Sequence, residues 1–556
     1  MNYTLAKVYK QNKDLIFLKL LDTSPSVRIC SLPKESLFKP KKGEIYQVEL
    51  TNKTIKKKAV GLLQKKIDLE DENYDLERII NKHLLPGQHP NYPELDSLEK
   101  NVEPNELKNR KNLKNLFAVT IDGAEAKDFD DAISLLSEEN KYTLYVHIAD
   151  VSAYIPKGSL IDEEASKRTT SFYLGNYVIP MLPPKLSNDL CSLRADLPRL
   201  TMTVEIEFSL KGEILRTDFY RSIIKVNQRL TYEQATDLLQ SSQSDQLNKT
   251  LKKMEELSQL LLKKRLRAGR LDLDVPNYEL VYKKNRVVNI ELAKRLPSHT
   301  IIEEFMLTAN QLVAKILQEK SIPTLYRVHE KISQDSLRDL QKFLAIFNIK
   351  LAKAKNNGKS LQQIINKVQS KKESKVINFA ILTSLMQADY RPKPLGHFAL
   401  AFKHYTHFTS PIRRYSDLIV HRCLKSLLDK APPPYSLLEL SRIGADCSEL
   451  ERVAQRAERD LMKMKSCRIM EKYLGQIFPG IITGISKAGF FIALDKLAVE
   501  GMVPLRLLTD DYYAVQEDKY RIKGRKQGKI FTLGDKIDVR LTKVELENMR
   551  IDFLPA

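Results

Sequence analysis

The segment VTIDGAEAKDFDDAISL (119–135) sets five acidic residues, Asp122, Glu125, Asp128, Asp130 and Asp131, against one lysine, Lys127, in a chain of formal net charge +21. A solvated acidic turn is one explanation. The flanks favour another: LFAVTI (116–121) and AISLL (132–136) are apolar and β-branched, the signature of buried strand or short helix. The acids then occupy a loop between elements that enter a core. Like charges about 5 Å apart repel by roughly 3 kcal/mol per pair at an effective dielectric of about 20. Such a loop needs a counter-charge, and a divalent cation is the simplest. A donor set of oxygen alone selects Mg²⁺, with Mn²⁺ as a substitute, over zinc. A calcium-binding EF-hand loop is excluded, because its glycine and terminal glutamate do not fall at the required positions. Mg²⁺ held by a few carboxylates and substrate phosphates is the usual arrangement for phosphodiester chemistry, often with two ions.

Three further stretches carry candidate chemistry. In HFTSPIRRYSDLIVHRCLKSLL (407–428), Ser410 is a plausible helix N-cap and Pro411 the first helical residue. Ile412, Tyr415, Ile419 and Cys423 then make a buried stripe. Arg413 and Arg414 would fall in the first turn, where the helix dipole disfavours cations by roughly 0.3–1 kcal/mol. Two arginines there make an anion site; the alternative is that both pair with acids such as Asp417. In TSFYLGNYVIPMLPPKLSNDLCSL (170–193), Tyr173 and Tyr177 are either core and turn aromatics or, beside a nucleic-acid site, stacking platforms worth about 1–3 kcal/mol per base. His397, His404 and His407 in GHFALAFKHYTH invite a zinc reading, but without tight ligand spacing they read better as structural.

The elements that must position these groups follow from bulk properties and periodicity. At 556 residues the chain is expected to hold about two to four domains, and 42% apolar with 29% charged residues describes a soluble globular protein. No stretch approaches roughly 18 uncharged apolar residues, so no membrane span is expected. The N-terminus lacks an apolar signal core, since LIFLKLL (15–21) is short and broken by Lys19; a cytoplasmic location is expected. Five scattered cysteines without a CxxC pair argue against disulfides and structural zinc. The strong positive charge favours a polyanionic partner, nucleic acid first.

Residues 1–65 alternate short β-like runs with Lys/Gly/Pro turns, the pattern of a small antiparallel barrel, and the basic run NKTIKKK suits an OB-like module as well as a generic β-domain. LLPGQHPNYPELDS (84–97) reads as a connector. A mixed α/β region spans about 105–430, with helical patterns at 233–265, 301–319, 334–346 and 375–390, the last two separated by a polar, Lys-rich stretch near 353–374. Residues 438–474 predict one or two amphipathic helices, and from Gly475 short glycine-punctuated strands predict a five-stranded barrel. The expected fold is therefore multidomain, mixed α/β, with a β-barrel of OB type at each end, divided as 1–84, 85–470 and 471–556.

With TIDGAEAKDFDDAISL, VHIADVSAYI, SFYLGNYVIPMLPPKLSNDLCSL, LYRVHE and GHFALAFKHYTHFTSPIRRYSDLIVHR in order, the chain resembles the RNB family of exoribonucleases, that of RNase II and RNase R, over roughly 85–556. The final barrel is similar to the RNA-binding domain named after ribosomal protein S1. The resemblance implies processive, Mg²⁺-dependent hydrolysis of single-stranded RNA from the 3′ end to nucleoside 5′-monophosphates, by a monomer. It implies Asp122, Asp128 and Asp131 as metal ligands and Asp130 as the residue most needed for the chemical step. Arg413 would brace the scissile phosphate, with Arg414 beside it on the substrate. Tyr173 would stack on the 3′-terminal nucleotide, and Tyr232 with Glu303 or Glu304 would contact ribose and base. Two departures stand out. Leu273 occupies a position where some members carry an aromatic that completes a base clamp, and the N-terminus has room for one cold-shock-type barrel where two are common. Action on RNA duplex therefore stays open. The alternative of a different class is a catalytically silent RNA-binding scaffold, against which the four aspartates and Arg413 argue.

Overall fold

The structure is a computed structural model that describes residues 3–556 except 14, 22–27, 32–38, 56–57, 68–72, 97–106, 108, 243–244, 274–277, 284–285, 352–357, 372, 495–496, 498 and 517–519. Lys56 and Lys57 of the basic run lie outside the described residues.

At the centre is a seven-stranded sheet in the order Gln228–Thr231, Val119–Asp122, Asp131–Ser137, Lys141–Ala149, Pro198–Ser209, Ile214–Lys225 and Lys111–Asn112. Inner neighbours run antiparallel and both edge strands run parallel to their neighbours. The β-branched runs supply its apolar side chains: Ile133, Val146, Val204 and Ile206 are fully buried. They share one core with Leu257 of the helix Gln246–Ala268, Phe305 and Val313 of Pro297–Glu319, and Leu418 and Ile419 of Tyr415–Leu428. The helix Gln246–Ala268 starts where the Asp245 side chain accepts from Asn248 N at 2.7 Å. It stops at Gly269, whose φ of +104° lets the chain turn out of the helix. The 233–265 pattern thus covers two helices, the shorter being Tyr232–Gln240.

Sheet order brings the acidic loop into being. Val119 pairs with Ile133, so Asp122 ends one strand and Asp131 begins its neighbour, with 123–130 between them. On the other side Thr231 pairs with Asp122, which carries Tyr232 to the same end of the sheet.

A closed five-stranded barrel forms at each end of the chain, the first from strands within 3–67 and the second from strands within 477–555. The second carries an added three-stranded sheet, Tyr513–Gln516, Arg521–Gly524 and Ile530–Thr532. In sequence the barrels bracket the core; in space they meet on one long helix, Leu437–Glu471, capped by Ser436. Leu5, Ile67, Ile79, Phe172, Leu174 and Leu461 form a common apolar cluster with Leu546 and Met549 against it. Arg78, 1% exposed, donates to the carbonyls of Leu546 (3.0 Å) and Glu547 (2.6 Å) in the second barrel.

Two expectations are corrected. The stretch near 353–374 contains a helix, Gly358–Val368, because Leu361, Ile364, Ile365 and Val368 recur at helical spacing among its lysines. With Gln334–Ile346 and Ser374–Ser384 it builds a three-helix unit with its own core. The 375–390 pattern ends at Ser384, after which Asp389–Arg391 pairs as a strand with Tyr326–Val328. No helix among the described residues is long and apolar enough to cross a membrane.

Candidate active site

Asp130, 4% exposed, is the innermost of the four aspartates. Its Oδ1 accepts from Ile412 N at 2.8 Å and its Oδ2 lies 3.4 Å from Arg413 Nε. Its backbone carbonyl accepts from Ala149 N at 2.9 Å, tying the loop back to the sheet. Asp128 Oδ2 accepts from the Tyr173 hydroxyl at 3.1 Å. Asp122 and Asp131 are half-buried at the two strand ends, and Asp122 Oδ2 is buried without a hydrogen-bond partner. Glu125 is exposed.

The electrostatics show a site short of positive charge. Burial first, then Asp130, pushes the Asp122 carboxyl up against the opposing pull of Arg413. Burial first, then Asp122, does the same to Asp131. Burial also raises Asp130, although Arg413 and the Ile412 amide favour its ionised form. Arg413 opposes the shift at all three carboxyls, joined by Arg229 at Asp122 and Arg414 at Asp131, and burial with mutual repulsion still prevails. Among the described residues no three His, Cys, Asp or Glu side chains are gathered around a single point as metal ligands. The donor chemistry nonetheless fits a hard divalent cation: an orphaned buried carboxylate oxygen, carboxyls that repel one another, and oxygen donors throughout.

The arginines divide their roles. The helix after TSPIRR begins at Tyr415 with Arg414 as its N-cap residue, not at Ser410 and Pro411 as the sequence predicts. The cause is Asp417, fully buried, which accepts from Ser410 N (2.8 Å), Ser416 Oγ (3.0 Å) and Arg414 Nε and Nη2 (2.9 and 2.7 Å). Those bonds hold Arg414 extended, bridged to Thr170, and commit its guanidinium to Asp417. The pairing with Asp417 is the alternative that the sequence left open for Arg414. Arg413 is left facing the acids, with its side chain 46% exposed.

Tyr173 sits on a hairpin spanning 172–179. Strand alternation buries Phe172 and Leu174 in the cluster under the long helix and leaves Tyr173 36% exposed on the side of Asp128. Tyr232, the first residue of its helix, stacks on His299 at 3.9 Å between ring centroids. The two glutamates separate. Glu304, fully buried, takes Arg265 (Nε at 2.6 Å) and Arg270 (Nη1 at 2.9 Å). Glu303 keeps 34% exposure while pairing with Arg270 and Arg295. Of the two candidates for a substrate contact, Glu304 is thus engaged by two arginines and Glu303 keeps an open face. Leu273 packs against the three-helix core. The histidines disperse into aromatic packing: His397 stacks on His329 at 5.0 Å and His407 bonds the Tyr390 hydroxyl at 2.7 Å, both held neutral by burial.

Sequence reasoning missed Arg229 and Ser192. Arg229 Nη2 donates to the carbonyls of Gly123 (2.8 Å) and Ala124 (2.9 Å). Ser192 Oγ accepts from Phe129 N (3.0 Å) and donates to the Lys127 carbonyl (2.8 Å). Both act on the loop's backbone, and only the sheet order reveals that they reach it.

Comparison with known proteins agrees with this geometry. A model of the RNB domain matches residues 110–430 and one of the S1 RNA binding domain matches 472–554. A Ribonuclease R of Aquifex aeolicus is 37% identical over 547 residues, covering 96% of this chain and 77% of its own length. A Ribonuclease R of Thermotoga maritima is also 37% identical, over 530 residues, covering 92% of this chain and 74% of its own. The solved structure of Mycoplasma genitalium RNase R in complex with ribose methylated single-stranded RNA superposes with a TM-score of 0.90 at 26% identity, covering 100% of this chain and 89% of that one.

Proposed function

Since the chain belongs to the RNB family, we propose that it is a 3′-to-5′ exoribonuclease of the RNase II type whose reaction centre is the 122–131 loop. The observation that carries this reading is the convergence of Asp122, Asp128, Asp130 and Asp131 with Arg413 at one end of the central sheet, beside an exposed tyrosine. The substrate is single-stranded RNA, whose 2′-hydroxyls distinguish it from DNA. A catalytically silent scaffold is not favoured, since pure binding would gain from losing those carboxylates.

Asp122, Asp128 and Asp131 would hold Mg²⁺, with Mn²⁺ as a substitute. When bound, the cation supplies charge neutralisation and activates water for phosphodiester hydrolysis. The chain's own residues do the rest. Tyr173 offers its ring to the terminal base while its hydroxyl stays on Asp128. Arg413, oriented by its bond to Ser410 Oγ at 3.2 Å, reaches the scissile phosphate. Asp130, set by the Ile412 amide, is placed to steer the attacking water and its proton. Glu303 and Tyr232 contact the following nucleotides, with Glu304 and Arg414 fixing the frame behind them. The products are nucleoside 5′-monophosphates, released processively by a monomer in the cytoplasm, and the units are 1–84, 85–470 and 471–556.

The test uses 5′-labelled single-stranded RNA with Mg²⁺, beside a 3′-phosphorylated copy and a DNA copy. Mononucleotide release with shortening from the 3′ end is expected for the RNA alone, and EDTA abolishes it. Internal cuts, or activity indifferent to EDTA, overturn the reading.

A further inference from the structure

We propose that Ser192 is a positioning residue that fixes the direction of Asp128 without touching substrate or cation. Its hydroxyl grips the peptides on both sides of that aspartate, accepting from Phe129 N at 3.0 Å and donating to the Lys127 carbonyl at 2.8 Å. A third bond, Leu193 N to the Phe129 carbonyl at 3.0 Å, lays 192–193 alongside 127–129 as a short strap. Ser192 is fully buried, so its hydroxyl does not compete with solvent for these two partners. It is itself anchored, since its carbonyl accepts from Arg199 Nε at 3.0 Å.

One atom therefore opposes rotation of either peptide plane next to Asp128. The same loop turns through Gly123 and Ala124, which lack side chains able to brace it, so it needs an external grip. Arg229 secures that first half through two carbonyls; Ser192 secures the half that bears Asp128. Small displacements are costly here, because misplacing a reacting group by about 1 Å can lower a rate on the order of 100-fold.

The inference rests on 122–131 being the reaction centre, and the experiment separates the two. Ser192→Ala is measured alone and in an Asp128→Asn background, in the full chain. Alone it is expected to lower kcat about 10–100-fold, while the Kd for RNA in EDTA stays within about twofold. In the Asp128→Asn background the further loss is expected below about threefold, because groups that act as a unit are non-additive. An equal factor in both backgrounds, or an alanine variant as fast as the wild type, overturns it. A readout without RNA runs in parallel: the Mg²⁺-induced rise in melting temperature shrinks in Ser192→Ala and is kept in Ser192→Thr, which retains the hydroxyl. An undiminished rise in the alanine variant overturns the proposal. Should the wild type fail to degrade RNA, the functional reading falls, and the melting arm still decides the role of Ser192.

Discussion

Two clusters of charge, each built around a buried acid, lie in the catalytic core, and they are built on opposite plans. Around Glu304, three acids (Glu303, Glu304, Asp272) meet three arginines (Arg265, Arg270, Arg295) in ion pairs. Around Asp130, four aspartates face Arg413, whose nearest approach is 3.4 Å, and one buried carboxylate oxygen has no partner. The first cluster balances its charge within the chain, three acids against three arginines, although the buried Arg265 Nη1 has no hydrogen-bond partner. The second is complete only with positive charge from outside it. Burying an unpaired charge costs several kcal/mol, so such a deficit persists where a ligand supplies the balance. Charge balance, more than burial, separates scaffold from the proposed reaction centre here.

The largest effects should come from removing one carboxylate from each cluster. Asp130→Asn is expected to lower kcat by about 10³-fold or more with RNA affinity changed less than about twofold. Its melting temperature in EDTA at pH 8 should rise, because one of several mutually repelling carboxylates has gone. Glu304→Gln should do the reverse to stability. It leaves Arg270 with Glu303 alone and Arg265 with only a 4.0 Å approach to Glu303, a loss of about 3–5 kcal/mol for breaking a buried pair, read as a lower denaturation midpoint. Melting shifts of the same sign would break the distinction between the clusters.

This distinction was half legible in the sequence. The acidic run and the two arginines stand out because their types repeat at short spacing, and the barrels and the helix 334–346 follow from periodicity. What stayed hidden depends on partners far along the chain. That Glu304 is sealed by Arg265 and Arg270 needs the packing of Gln246–Ala268 on Pro297–Glu319. That Arg414 pairs with Asp417 and precedes the helix needs the Asp417 carboxylate to outcompete a helical N-cap at Ser410. Local propensity placed the helix start at Pro411, and a buried ion pair moved it to Tyr415. Ser192 carried no signal, since a lone serine between Cys191 and Leu193 looks like ordinary core filling.

A smaller effect, in pH, sharpens the same comparison. The folded state holds Asp122 and Asp131 above their ordinary value of 3.8. The folded protein therefore binds more protons than the unfolded chain from about pH 4 up to where those carboxyls ionise, and its stability must fall as pH rises through that window. In EDTA the melting temperature should drop between pH 5 and pH 8 by more in the wild type than in Asp122→Asn. Mg²⁺ should restore it at pH 8 and do little at pH 5, where protons occupy the carboxyls. Parallel pH curves for the two proteins, read by differential scanning calorimetry, would show that the aspartates carry no such strain.

The smallest change tests whether a neutral hydrogen bond offsets part of the deficit. The Tyr173 hydroxyl donates to Asp128, the one side-chain donor besides arginine seen on the described loop aspartates. Tyr173→Phe removes that bond and keeps the ring. A single hydrogen bond contributes about 0.5–1.5 kcal/mol, so in saturating Mg²⁺, where the cation supplies the charge, kcat should fall no more than about tenfold. RNA affinity should stay within about twofold, because the stacking face is intact. Tyr173→Ala removes the face as well and should weaken binding by about 1–3 kcal/mol. Filter binding in EDTA and single-turnover rates in Mg²⁺ separate the two contributions. If phenylalanine binds RNA as poorly as alanine, the hydroxyl matters to the substrate and not to Asp128, and the deficit around Asp130 is left to the cation alone.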